Sequence, residues 1–394
     1  MQKLAGVGLV VGALCAMPGT CAGPPGAPGP AARYLHIQNA GQSNGFGSSP
    51  AVTQTQEYDS LMRRTGSAVF QTAVGTGREA PMYGAMGAAR QLLASEQSQG
   101  RPPADVQFVA SDSAVSAMAI DQLSKGGSTR AYENGIAQLA AGQAIANVIG
   151  ASFASGAVLW TQGEADAGPD GDAYKAKLIA YAENWNRDAR SVTGQTEDSP
   201  LITWQVGSNY RKSTAVAQWR AGLESSLVYL ACPSYQFDYR DFQHLSSESI
   251  RWLGGYYGMV IKKVVLDRSG WQPLQPVAVQ VTGNSIDITF NKDRLALDTA
   301  LMPEQPDYGF SVVNGAGATQ AIKGVALMGG NRVRLTMESA PASGWRVRYG
   351  HNTVTGKLPY RGGGGNLRDT QDWTYAGHPM HNWSVIFDWP IQAG

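Results

Sequence analysis

Between Arg33 and Asp267 short apolar runs take turns with longer amphipathic stretches, and few folds accept that alternation. The short runs, Tyr34–Gln38, Val106–Ala110, Ala157–Thr161 and Leu201–Val206, have the length and the branched or aromatic content of buried parallel strands. Helices are expected over Tyr83–Ser95, Arg130–Ile149, Ala173–Arg190, Thr214–Val228 and Glu248–Leu266, the last capped by Ser246 or Ser247. Alternating strands and helices predict a parallel sheet covered on both faces, a three-layer α/β/α sandwich.

After Asp267 the pattern changes. Arg268–Pro276 reads as a linker, and no helix is expected beyond it. Val277–Val281, Ile286–Phe290, Phe310–Val313, Val333–Met337, Trp345–Tyr349 and Trp383–Phe387 have strand length and are punctuated by Gly, Asn and Pro. They predict a C-terminal immunoglobulin-like β-sandwich over residues 268–394. Gly362–Gly365 is read as a flexible loop, since no helix follows to make it a phosphate cradle.

The first residues read as an export signal over 1–22: Lys3, then the apolar stretch Leu4–Met17, then small residues around Ala22. That stretch is too short to span a bilayer, and lipid attachment at Cys15 or Cys21 lacks a fitting sequence before either cysteine. Residues 23–32 form a Pro/Gly/Ala-rich spacer. Removal of the signal would leave Cys232 of the three cysteines, read as a buried core thiol. With 15% charged residues and a net charge of +1, neither nucleic acid nor an anionic membrane is an expected partner.

Three strings carry chemistry: Gly41-Gln42-Ser43-Asn44, Gln162-Gly163-Glu164-Ala165-Asp166 and Asp241-Phe242-Gln243-His244. The first follows one expected strand and the second ends another, so both fall on the carboxyl edge of the sheet, where such folds bind ligands. Ser43 sits in a Gly-flanked turn suited to projecting a hydroxyl. Asp241 and His244, three residues apart, bring carboxylate and imidazole to one face before the last helix. Such a pair activates a hydroxyl as nucleophile. The Gln162 amide is a candidate oxyanion donor beside the Ser43 N–H. Glu164 and Asp166 read either as part of that polar cluster or as helix caps. His36 is expected as a hydrogen-bonded core residue. His351, His378 and His381 lack a carboxylate or Cys at ligand spacing, so neither metal nor other cofactor is expected.

In these strings the chain resembles the SGNH (GDSL-like) hydrolases, closest to the sialate O-acetylesterase-like branch that includes acetylxylan esterases of carbohydrate esterase family six. The resemblance covers roughly residues 33–267. It implies a flavodoxin-like fold and metal-free ester hydrolysis, with Ser43 as nucleophile, His244 as base and Asp241 as its orienter. It puts Gln162 in the place of an Asn oxyanion donor, groups Gln42, Asn44 and Glu164 with the oxyanion and substrate-binding residues, and makes Glu164 a fallback partner for His244. Relatives carry a Gly-Gly pair after the second strand. Here Val115-Ser116-Ala117-Met118 stands there, so Ser116 or Ala117 must supply the backbone donor and the acyl pocket is reshaped.

The expected activity is an exported esterase that removes O-acetyl or similar small acyl groups from a carbohydrate. The same residues would serve acyl transfer to a polysaccharide, and a carbohydrate-binding protein with a decayed site is the non-enzymatic alternative. Trp345, Trp373, Tyr375 and Trp383 are candidate sugar-stacking residues in the C-terminal part.

Overall fold

A computed structural model describes residues 33–392 apart from 56–57, 65, 101–104, 167–169 and 208–211. The export-signal and spacer readings lie outside the described residues.

The long elements follow the sequence pattern. Strand β1 (Arg33–Gly41) leads through a single helical turn α1 (Ser43–Phe46) to two short edge strands, β2 (Leu61–Met62) and β3 (Gln71–Thr72). Helix α2 (Pro81–Ser98), with proline in its first turn, precedes β4 (Val106–Asp112); a short turn α3 (Ile120–Leu123) and helix α4 (Ala131–Val148) lead to β5 (Ser152–Thr161). Then come α5 (Gly171–Thr193), β6 (Leu201–Gln205), α6 (Lys212–Glu224), β7 (Val228–Pro233) and α7 (Ser247–Ile261), which continues as a π-helical segment to Leu266.

The sheet order is β3-β2-β4-β1-β5-β6-β7, and every pair from β2 to β7 is parallel. Counting only the five long strands in chain order, this is 2-1-3-4-5, the flavodoxin-like order, whose switch point lies between β1 and β5. Two separate apolar cores cover the two faces, one around Trp160, Trp185 and Tyr181 and the other around Trp204, Tyr256 and Tyr257. One strand escaped the sequence reading. Val228–Pro233 was absorbed partly into a helix because Leu227–Cys232 is apolar without alternation, as a strand buried on both faces should be. Cys232 sits within it, 2% exposed, and burial pushes its thiol pKa up.

Beyond Asp267 two four-stranded antiparallel sheets form, beside two short antiparallel pairs, 295–297 with 367–369 and 374–375 with 378–379. One runs in the order 322–327, 332–337, 285–290, 276–282 and the other 319–320, 310–313, 346–349, 387–390. Lettered along the chain with 295–297 left aside and 319–320 taken as C′, these are the A-B-E-D and C′-C-F-G pairings of the immunoglobulin fold. The last strand is Phe387–Pro390, not Trp383–Phe387. Trp383 is 2% exposed and belongs to the core, which removes it from the sugar-stacking candidates, as burial also removes Tyr375.

The described residues form a single compact unit, and the second core runs without interruption from α2 and α7 into the β-sandwich. Gln205 at the end of β6 exchanges two 2.7 Å hydrogen bonds with the Ile386 backbone, and Tyr235 donates to Ser384 O at 2.7 Å. The Gly362–Gly365 run is the tightest part of this junction, not a flexible loop. All four glycines are buried; a Cβ on Gly362 would lie 2.0 Å from Gly207 O across the junction, and one on Gly363 would lie 1.7 Å from Gly350 O. Four side-chain-free residues let two backbones approach where any larger residue would separate them.

Candidate active site

The site is built where β1 and β5 diverge. Gly41 ends β1 with φ 122°, and a Cβ there would lie 2.1 Å from Thr161 O, so the chain can turn this close to β5 only with glycine. Gln42 N–H donates to Thr161 O at 2.9 Å, and α1 then opens at Ser43, which is 7% exposed. As first residue of a helical turn, Ser43 has a backbone N–H with no partner inside that turn.

His244 comes from the other end of the sheet, in the loop between β7 and α7. A bridge between Tyr239 and Leu245 pinches this loop, and Arg240 N–H donates to His244 O at 2.9 Å. Asp241 Oδ1 accepts the N–H groups of Gln243 (2.9 Å) and His244 (2.7 Å), while His244 Nδ1 meets Asp241 Oδ2 at 2.9 Å. Burial pushes the Asp241 carboxyl up, but these two N–H groups and the imidazole outweigh it and hold the pKa below the usual carboxylate value. Asp241 is therefore held ionised against Nδ1 of His244, a contact that leaves Nε2 uncommitted to this carboxylate.

Asn44 joins the two halves. Its Nδ2 donates to Gln243 O at 3.1 Å and to Glu164 Oε1 at 2.6 Å, and its Oδ1 accepts from Leu245 N–H at 3.0 Å. The residue after Ser43 thus grips the backbone on both sides of His244. Ser49 Oγ adds a 2.8 Å bond to Leu245 O. Glu164 holds Asn44, so its expected fallback role beside His244 falls to Asp241 alone.

Several residues expected at the oxyanion or substrate serve inside the protein instead. Asn44, Gln162 and Glu164 are at most 2% exposed. Gln162 Nε2 spends its two protons on Met118 O (3.2 Å) and the Asp166 carboxylate, and its Oε1 accepts from Tyr174 (2.8 Å), which leaves no proton for an oxyanion. Asp166 also accepts Ile120 N–H at 3.1 Å; burial raises its pKa. Gln42 Oε1 is fixed by Ala165 N–H at 3.1 Å.

Ser116 and Ala117, by contrast, form an exposed turn beside the serine loop, tied by Val115 N–H to Gly41 O at 2.9 Å. Ala117 has φ 62°, the left-handed conformation that glycine adopts without penalty. The backbone here takes a shape that glycine favours, with alanine in the position.

Asn39 was missed by sequence reasoning. Its Nδ2 divides between Gly45 O (2.8 Å) and Asp112 Oδ1 (2.9 Å), bracing the serine turn against β4. Its place just past the expected strand Tyr34–Gln38 and two residues before Gly41 was the available signal. Burial raises the Asp112 pKa to about 6. His36 is the hydrogen-bonded core residue expected, 2.7 Å from Ser111 Oγ, with its pKa lowered to about 3 by burial first and Arg63 second.

A flavodoxin-like sheet whose carboxyl edge carries the serine turn and the histidine loop side by side has the fold of the SGNH-like α/β hydrolases. Residues 85–263 match the family model described as carbohydrate esterase, sialic acid-specific acetylesterase, a stretch that contains Gln162, Asp241 and His244 and begins after Ser43. Over that stretch the chain is similar to this family of carboxylic ester hydrolases. Among solved structures it is similar to XAC1771, a carbohydrate acetylesterase from Xanthomonas citri, at 16% identity and TM-score 0.57, with 90% of this chain and 80% of that one covered. It is also similar to a protein from Arabidopsis thaliana (17% identity, TM-score 0.45, 60% of this chain and all of that one) and to NanS (13%, 0.44, 61% and 99%). At these identities the likeness is one of fold. No curated protein matches the sequence.

Proposed function

We propose that this esterase removes O-acetyl groups from a carbohydrate through an acyl-enzyme on Ser43. The observation that carries the reading is the Asn44 bridge, which fixes the His244 loop against the serine turn. His244 Nε2 takes the Ser43 hydroxyl proton as Oγ attacks the ester carbonyl, and Asp241 steadies the resulting imidazolium. The backbone N–H groups of Ser43 and Ala117 receive the oxyanion. The imidazolium then protonates the departing sugar oxygen, and water, deprotonated by the same imidazole, releases acetate. The export signal read at residues 1–22 supports action outside the cytoplasm.

Ser43→Ala is the direct test. Acetate release from a chromogenic acetate ester should fall by about 10⁴-fold or more, with circular dichroism unchanged. Retention of activity by the folded variant would end the assignment.

A further inference from the structure

A cavity of about 360 Å³ lies where the last turns of α2 and α7 meet the C-terminal part of the chain. It belongs to the amino edge of the sheet, since α2 ends at Ser98 and the chain re-enters the sheet at Val106, the first residue of β4. Helix α7 measures its separation from the catalytic edge. That helix starts at Ser247, three residues after His244, and Met259, which lines the cavity, is twelve residues further on, about 18 Å along the axis.

Two tryptophans wall the cavity, and both are held in place. Trp373, half-buried, stacks against the buried Tyr375 ring with centroids 6.3 Å apart, and its carbonyl accepts Met380 N–H at 2.9 Å. Trp271 Nε1 donates to Leu230 O at 2.9 Å, which pins that indole to β7. Lys292 Nζ lies 5.2 Å over the Trp271 ring and takes one of its faces, so Trp373 is the stacking platform and Trp271 a side wall. Trp373 is among the sugar-stacking candidates of the sequence that burial did not remove.

The polar lining is built, not incidental. Lys262, with a side chain 3% exposed, bonds Glu96 Oε1 at 2.8 Å and the Asp267 carboxylate. The π-helical segment makes the second pairing possible. Asp267 N–H donates to Lys262 O at 2.9 Å, so two residues five apart, which an α-helix would splay, come to one side. With Lys263 the lining carries two cations and two carboxylates, a net charge of zero. An anionic ligand would meet Glu96 and Asp267, and a wholly apolar one would strip water from the charged rim and replace none of its hydrogen bonds. A neutral sugar satisfies both demands: its C–H face covers an indole and its hydroxyls bond ionised groups.

We infer that this cavity is a second glycan-binding site, taking a neutral sugar unit of a polysaccharide whose other units reach the serine turn. Binding here does not depend on Ser43; only its contribution to turnover rests on the esterase reading. A polymer held at one edge is presented to the other at raised effective concentration, whereas a small ester gains nothing.

The test is affinity electrophoresis of the protein in native gels containing glucomannan, xylan or hydroxyethyl cellulose, with alginate as the acidic polymer. At least one neutral polymer should retard the wild type, and Trp373→Ala should weaken that binding about ten-fold. Ser95→Leu, at an exposed α2 position on the cavity lining, narrows the cavity without touching the core and should weaken binding likewise. No retardation by any neutral polymer, retardation by alginate alone, or retardation unmoved in both folded variants overturns the site. On the retarding polymer in acetylated form, kcat/KM should fall about ten-fold in Trp373→Ala, while on a chromogenic acetate ester it stays within about two-fold. An equal fall on both substrates overturns the site as a separate one. Retardation that Trp373→Ala weakens supports the site even if the wild type releases no acetate, a result that would count against the esterase reading alone.

Discussion

Asn44→Ala tests whether the serine turn and the histidine loop work as one clamped unit. The substitution deletes three hydrogen bonds: to Glu164 Oε1, Gln243 O and Leu245 N–H. Two are neutral, at about 1 kcal/mol each, and one has a carboxylate acceptor, at about 1.5–3 kcal/mol, so the loss of stability should be about 3.5–5 kcal/mol. The kinetic loss has a different origin. A histidine loop no longer tied to residue 44 drifts relative to Ser43, and a displacement of about 1 Å at reacting groups costs about 10²-fold in rate. Thermal unfolding and kcat on a chromogenic acetate ester, measured well below the variant's Tm, report the two effects separately. Ser49→Ala, which removes one bond to Leu245 O, should cost about 1 kcal/mol and much less rate. If Asn44→Ala loses several kcal/mol of stability yet turns over within about two-fold of wild type, the clamp is purely structural and the reasoning fails.

Ala117→Gly should raise stability by about 0.5–1 kcal/mol, because relief of the left-handed alanine exceeds the added backbone entropy; urea unfolding midpoints check it. Gly363→Ala should destabilise by about 3 kcal/mol or more in the same assay, since its Cβ would lie 1.7 Å from Gly350 O. His36, with a pKa lowered from 6.5 to about 3, binds fewer protons folded than unfolded across that window. Its contribution is therefore fully present above about pH 6.5 and is lost as pH falls toward 3, with an upper bound of about 5 kcal/mol. Asp112, raised to about 6, acts in the opposite sense between about pH 4 and 6, so the readout is the difference between wild type and His36→Asn over pH 4–7.

Strand and helix alternation was readable because a parallel strand buried on both faces must be short and apolar while its covering helix must be amphipathic. Where the two signals merge, as at Leu227–Cys232, the reading lost β7. The site was legible in its chemistry but not in its assignments. Ser43, Asp241 and His244 each have ordinary uses in turns and caps, and what pointed to chemistry was the three strings occurring together, which the fold does bring side by side. Asn44, Gln162 and Glu164 are ordinary amides and a carboxylate, whose partners depend on which loops meet. Sequence placed them toward substrate; tertiary contacts turned all three inward. The glycine run failed for a related reason, since glycine marks either freedom or crowding and only the neighbouring backbone distinguishes them.

The β-sandwich bears on the catalytic edge through β6. Gln205 closes that strand, and both ends of its side-chain amide are spent on Ile386. The next residues, Val206 and Gly207, are held by Gln218 and by Ser234, and Gly207 O accepts Gly363 N–H at 3.2 Å. Gln218 in turn donates to Gln162 O at 2.8 Å, at the head of the polar string after β5. A continuous run of hydrogen bonds therefore joins the C-terminal strands to the loop that supports Asn44 through Glu164. Such a run transmits position only if every buried member is satisfied, because an unpaired amide at any link would cost more than the link contributes. The C-terminal part is in this sense a brace for the carboxyl edge, joined to it through a fused core.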